Sequence, residues 1–238
     1  MALPKIDKPL FEDVLPSNNE TVYYRAFTVK EEKILLVGRE SDDLEQSMLA
    51  MKQVINNCTS YKNGKEFDIG SLPVFDMEYL LLKIRSKSVE DVLVFTITDK
   101  ETNMPVELSI NIDEMTVKRD PKHTNKIKIN DEYTLVMKYP TVDMMRLYAN
   151  DELSDTLKSF TVMVNCLDKL VSEDNIYDFS TETEESIVNF LDDLDPQVLL
   201  DIKEFFETAP KMKHEITYTN KNGNEVKFVI EGAETFFE

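Results

Sequence analysis

Glycine, cysteine and histidine are scarce in this 238-residue chain, and each scarcity removes a class of chemistry. The five glycines (Gly38, Gly64, Gly70, Gly223 and Gly232) never sit close enough to build an amide-rich loop around a phosphate. P-loop and dinucleotide-binding fingerprints are therefore absent. The two cysteines, Cys58 and Cys166, lie 108 residues apart, each inside an apolar helical pattern. That is no disulfide framework, and both are expected to be reduced core residues of a cytosolic chain. His123 and His214 stand outside any Cys-x-x-Cys or His-x-x-x-His spacing, so no zinc shell can be assembled locally. Only ligands converging from distant positions would change that. With neither a Gly-x-Ser-x-Gly turn nor a base beside it, a serine hydrolase is not supported. The expectation is a chain with no catalytic residue, no metal and no cofactor.

Basic charge is also short: 27 Lys and Arg face 46 Asp and Glu, a formal net charge of −19. A general cationic surface for nucleic acid is excluded. The longest aliphatic run, Ile34-Leu35-Leu36-Val37, falls far below the ~20 residues that span a bilayer. The N-terminal Met1-Ala2-Leu3-Pro4-Lys5 has no apolar core for a secretory signal. Acid pairs are abundant, yet Glu184-Glu185 and Asp192-Asp193 read as helix faces in solvent rather than acid/base pairs. The calcium-like string Asp174–Glu185 fails as an EF-hand, with Ile176 at its third position and Phe179 where glycine is required.

What is present is an apolar fraction of 42%, enough for a packed core. The segment 1–20, with Pro4, Pro9 and Pro16, reads as an extended N-terminal arm. Residues 21–140 read as helices plus a hairpin and strands. A short strand at Val22–Phe27 precedes a capping box, Thr28-Val-Lys-Glu31, that opens a helix to about Gly38. Asp42 with Glu45 opens a second helix, with Leu44, Met48, Met51 and Ile55 on one face. Met77–Arg85 is apolar around most of its circumference and should be the most buried helix. Val92–Thr98 and Val106–Ile112 alternate as a hairpin, and Lys126–Ile129 and Thr134–Tyr139 add strands. Residues 141–238 read as an acidic helical region ending in a hairpin. Leu153, Leu157, Phe160, Val164, Leu167 and Val171 step by four and three, as one side of a long helix or a short coiled-coil seam. Thr181-Glu-Thr-Glu184 caps the next helix, and Asp195-Pro196 starts another that ends by Pro210. Glu215–Thr219 and Glu225–Ile230 form a second hairpin around Asn222-Gly223-Asn224. The fold class expected is α+β, with two hairpin insertions and a mostly helical C-terminal half.

Between Asp151 and Pro210, sixteen acids face only Lys158, Lys169 and Lys203, a local charge of −13. This is either a solvated face that maintains solubility or a patch that meets a basic partner, with Glu184, Glu185, Asp192 and Asp193 as its nominees. Apolar candidates for contact are Leu10, Phe11, Val14 and Leu15 in the arm, which either enter a neighbour or strap this chain's own helices. Phe236 and Phe237 either dock on a partner or pack back on the core.

Three segments carry a resemblance: Phe27-Thr-Val-Lys-Glu-Glu-Lys-Ile-Leu-Leu36, Asp68–Ser88 with its Leu72-Pro-Val-Phe-Asp76, and Met137-Lys-Tyr-Pro-Thr141. Over roughly residues 20–160 the chain resembles the baseplate hub subunit and hub-assembly chaperone family of contractile-tailed, T-even-like bacteriophages. Both hairpins have the outline of zinc-ribbon knuckles, but Thr98-Asp99 and Tyr218-Thr219-Asn220 stand where relatives carry Cys-x-x-Cys pairs. The resemblance therefore implies no metal here, and hairpins held by packing alone. It also implies a non-enzymatic chaperone that binds other baseplate hub or tail proteins in the host cytoplasm, with neither nucleic acid nor membrane as partner. The alternatives are a structural subunit retained in the virion and, more distantly, an acidic host-directed inhibitor or DNA mimic. Oligomeric state is left open.

Overall fold

The computed structural model describes residues 6–41, 43–89, 91–147 and 153–232. Its strands and α-helices, in chain order, are β1 (Phe11–Val14), β2 (Thr21–Tyr24), α1 (Val29–Arg39), α2 (Leu44–Cys58), β3 (Thr59–Tyr61), α3 (Val74–Ser86), β4 (Val92–Thr98), β5 (Pro105–Asn111), β6 (Thr116–Lys118), β7 (Lys126–Lys128), β8 (Thr134–Met137), α4 (Asp155–Asn165), β9 (Leu167–Val171), β10 (Ile176–Asp178), α5 (Glu184–Asp192), α6 (Pro196–Glu207), β11 (Lys211–Thr219) and β12 (Glu225–Glu231). They form two compact units: Met1–Lys118 together with Lys211–Glu238, and Arg119–Pro210.

The first unit is discontinuous in sequence. Its strands make three antiparallel sheets, ordered β1-β2-β3, β4-β5 and β12-β11-β6. Helix α3 buries Phe75, Met77, Leu80, Leu81, Leu82 and Ile84, as its all-round apolar pattern predicts. Leu82 packs with Ile110, Ile112, Met115, Met212 and Ile230, so helix and sheet residues share one core. The capping box at Thr28 forms and starts α1. Helix α2 is capped by Asp43, whose carboxylate accepts the Glu45 N–H at 2.9 Å; Asp42, the cap expected from sequence, lies outside the described residues.

The second unit packs β10-β9-β8-β7 against α4, α5 and α6. Leu135, Met137, Cys166, Leu167, Ile202 and Phe205 lie at the centre of its core. Here the expected architecture is corrected. The C-terminal half is not mostly helical: β9, β10, β11 and β12 all fall within it, and the described residues are mixed α/β with four small antiparallel sheets. The long helix expected from Leu153 to Val171 stops at Asn165, and Leu167–Val171 becomes the strand between β8 and β10. Apolar steps of three and four serve either conformation. What decides is a partner distant in sequence, with Leu135 opposite Leu170 and Thr134 opposite Val171. The stripe is also displaced on α4 itself: Val162 and the stem of Lys158 are buried, whereas Leu157 and Phe160 face solvent. Further on, α5 is capped by the Thr183 hydroxyl, which accepts the Ser186 N–H at 3.2 Å, two residues beyond the cap expected at Thr181. The final hairpin is likewise no isolated insertion, because β11 also pairs with β6.

Candidate functional site

The groups most able to do chemistry are engaged in packing. Cys58 and Cys166 are buried, and burial pushes their thiols up to about 11 and about 12, so both stay protonated and unreactive at neutral pH. Arg25 only partly offsets this for Cys58. The two ring nitrogens of His123 bond the Thr208 hydroxyl at 2.9 Å and the Tyr139 hydroxyl at 2.8 Å. Its ring packs on those of Tyr139 and Phe205. Burial, reinforced by Arg119, lowers the His123 pKa, favouring a neutral imidazole that fastens a core edge. Among the described residues no cluster of His, Cys, Asp and Glu has the arrangement of a metal site. No helix among them is long and apolar enough to cross a membrane.

At the tips of the two long hairpins stands a hydrogen-bonded clip. Asp99, 1% exposed, accepts the Tyr218 hydroxyl at 2.7 Å, along with the Thr102 N–H and hydroxyl, each at 2.7 Å. Glu101 accepts the side-chain amides of Asn220 at 2.7 Å and Asn224 at 3.0 Å. The Tyr218 bond, followed by those from Thr102, lowers the Asp99 pKa, while the same contact pushes Tyr218 up to about 12. The hairpins are thus not held by packing alone, as expected from sequence. Carboxylate, phenol and amide groups bridge them, at the positions that correspond to the knuckles of a zinc ribbon.

Two surfaces among the described residues suit recognition. The first is the acidic face of the second unit. Glu184 and Glu185 are exposed in the first turn of α5, where carboxylates suit the helix dipole. Asp192 and Asp193 are exposed at its other end, against the dipole, with no basic residue in the last turn. Acids held where they oppose the local field are not explained by helix stability. Strand β10, at the edge of its sheet among the described residues, adds Ile176, 69% exposed, and Tyr177 between Asp174 and Asp178.

The second surface is a groove in the first unit, with a cavity of about 580 Å³. Phe27, Leu35, Leu36, Met51, Leu81 and Val89 supply its apolar wall, and Glu32, Arg39 and Arg85 its charges. The groove exists because α1 and α2 approach closely at Gly38: a Cβ there would lie 2.6 Å from the Ala50 Cβ. The Ser47 hydroxyl closes the crossing by donating to the Gly38 carbonyl at 2.8 Å. The start of α1 is fixed by Glu31, which is 3% exposed. Its carboxylate accepts the Thr28 N–H at 2.8 Å and the Arg25 guanidinium at 3.2 Å. Burial alone would raise the Glu31 pKa; the bonds from Arg25 and Thr28 outweigh it and hold the group at about 2.

The apolar candidates of the arm are divided by strand alternation. Phe11, on β1, packs on the Tyr24 ring at 5.6 Å, while Leu10 and Val14 are exposed. Leu15 is fully buried and anchors the segment to its own unit. Phe236 and Phe237 lie outside the described residues. The groove residues were not singled out from sequence. The available signal was in α1, where Val29, Leu36 and Val37 do not share the inward face and are 66%, 51% and 70% exposed.

A sequence profile of the family described as T4 bacteriophage base plate protein matches residues 8–238, nearly the whole chain. No curated protein and no solved structure matches it.

Proposed function

Because this chain belongs to the T4 bacteriophage base plate protein family, we propose that it is a non-enzymatic assembly factor that binds hub proteins while the baseplate is built in the host cytoplasm. The observation that carries this reading is the placement of acid in the second unit. Residues 151–210 of that unit carry a net charge of −13, and they include Asp192 and Asp193, exposed against the dipole of α5. Such a surface speeds encounter with a basic partner and repels acidic ones. Permanent interfaces are more apolar, whereas transient ones resemble ordinary surface, and this charged face is of the second kind.

The groove between α1, α2 and α3 favours a second reading, a structural subunit retained in the virion, because an apolar wall of that size suits a lasting contact. Quantitative mass spectrometry of purified mature particles separates the two. Absence of the chain from particles supports the assembly factor, and stoichiometric presence refutes it in favour of the subunit. Normal baseplates in phage lacking the chain would refute both.

A further inference from the structure

We infer that the four-stranded sheet of the second unit joins copies of this chain head to tail, β10 of one copy pairing antiparallel with β7 of the next. This goes beyond the assembly role and does not depend on it.

In the order β10-β9-β8-β7, neither end strand has a further strand neighbour among the described residues. Antiparallel alternation fixes which of their backbone groups face outward. The Asn125 carbonyl accepts the Met137 N–H at 2.8 Å and the Tyr133 carbonyl the Ile129 N–H at 3.0 Å. Ile127 therefore bonds to Leu135, while the N–H and C=O of Lys126 and Lys128 point away from β8. On the other edge the Ser172 N–H donates to the Asn175 carbonyl at 2.9 Å. Tyr177 therefore bonds to Leu170, and the backbone groups of Ile176 and Asp178 point away from β9. One antiparallel register matches both outward pairs: Ile176 opposite Lys128, Tyr177 opposite Ile127 and Asp178 opposite Lys126. Ile176 and Lys128 supply the ladder bonds. Asp178 and Lys126 contribute chiefly charge, because the Asp178 carbonyl already accepts the Thr181 hydroxyl at 2.8 Å and the Lys126 N–H donates to the Thr124 hydroxyl at 3.1 Å.

The side chains agree with this register. Ile127, Leu135, Leu170 and Tyr177 lie opposite one another in a single cross-strand row. The row starts inside the core at Ile127 and Leu135 and runs out to Tyr177, which is 45% exposed. Ile127 of the next copy continues it on the same face. At the β7 edge a cavity of about 160 Å³ is lined by the strand itself, by the buried Phe205 of α6 and by Asp201 and Glu204. Tyr177, an apolar ring with one hydroxyl at its tip, fits such a site. The edges are also opposite in charge. Lys126 and Lys128 are exposed on β7, the latter paired with Asp131 at 2.7 Å, whereas Glu173, Asp174 and Asp178 are exposed at β10. An exposed edge carrying Ile176 and Tyr177 is a template for a further strand. Because the two edges differ, the contact is heterologous, and a terminal copy keeps one edge unused.

Sedimentation equilibrium of the full chain at low salt tests this. The wild type should self-associate as its concentration rises, and a chain still monomeric at about 1 mM overturns the proposal. Ile176→Lys/Tyr177→Ser disables the β10 edge, and Lys126→Glu/Lys128→Glu disables the β7 edge. Each variant alone should be monomeric, and the two mixed should form a 1:1 dimer that grows no further, through the one intact edge of each. Association of either variant by itself means that like edges pair, and a mixture that stays monomeric means that these edges do not meet; either result refutes the proposal. Should a charge variant unfold by circular dichroism, mixing Ile176→Cys chains with Lys128→Cys chains gives a second measurement. Their Cα atoms should lie about 5.5 Å apart, within disulfide reach, while Cys58 and Cys166 stay buried. Mild oxidation should yield the mixed covalent dimer about ten-fold or more in excess over either homodimer, and equal yields refute the register.

Discussion

Glu31→Gln probes the start of α1, on which the groove is built. The wild-type carboxylate is nearly buried and held at about 2, against an ordinary value of 4.5. A depressed carboxyl pKa stabilises the folded state above the unfolded value, and the stabilisation disappears as pH falls through the folded one. A shift of this size corresponds to about 3 kcal/mol at neutral pH. Glutamine keeps an oxygen to accept from Thr28 but no charge for Arg25, which retains its bonds to the Ala26 and Asn57 carbonyls. The variant should therefore lose up to ~3 kcal/mol at pH 7, with the other carboxyls cancelling in the difference. By pH 3.5 protonation of the unfolded wild type should have removed roughly 1 kcal/mol of that gap, and near pH 2 most of it. Urea unfolding followed by far-ultraviolet circular dichroism, on both proteins across this range, measures the gap directly. A gap equal at pH 7 and pH 3.5 would refute the account of Glu31 as an ion held by Arg25 and Thr28.

Gly38→Ala should destabilise the chain by about 1–3 kcal/mol despite alanine's better helix propensity, because its Cβ meets Ala50; Ala50→Gly in the same chain should recover part of the loss in urea titrations. Asp99→Asn should bring the Tyr218 titration down from about 12 towards 10, read from phenolate absorbance against Tyr218→Phe; an unmoved titration would remove the clip. Both thiols should resist Ellman's reagent at pH 8 in the native protein and react fully in urea, and rapid native labelling would contradict their burial. Binding of a basic hub protein by the acidic face should weaken between low and moderate salt, and indifference to salt would leave that face a solubility device.

Local signals were legible where a single element decides its own structure. The capping box at Thr28, the proline-led start of α6 and the turn at Asn222-Gly223 each satisfy or bend the backbone within a few residues, so their meaning travels with the sequence. The stripe from Leu153 to Val171 divides into helix and strand because its spacing is shared by two conformations. The candidate surfaces divided in the same way. The acids of α5 could be nominated from composition, whereas the groove could not, since it depends on α1 and α2 crossing at a glycine beside α3.

The order of charge and apolar residues along this chain was sufficient to set the starts of α1 and α6, its two long hairpins, its acidic final third and its family. Tertiary structure alone decided that Leu167–Val171 is a strand, that Asp99 and Tyr218 clip two hairpins together, and that an apolar groove opens beside Gly38. Each of these depends on groups far apart in sequence, and their contact energies exist only once the chain has brought them within reach.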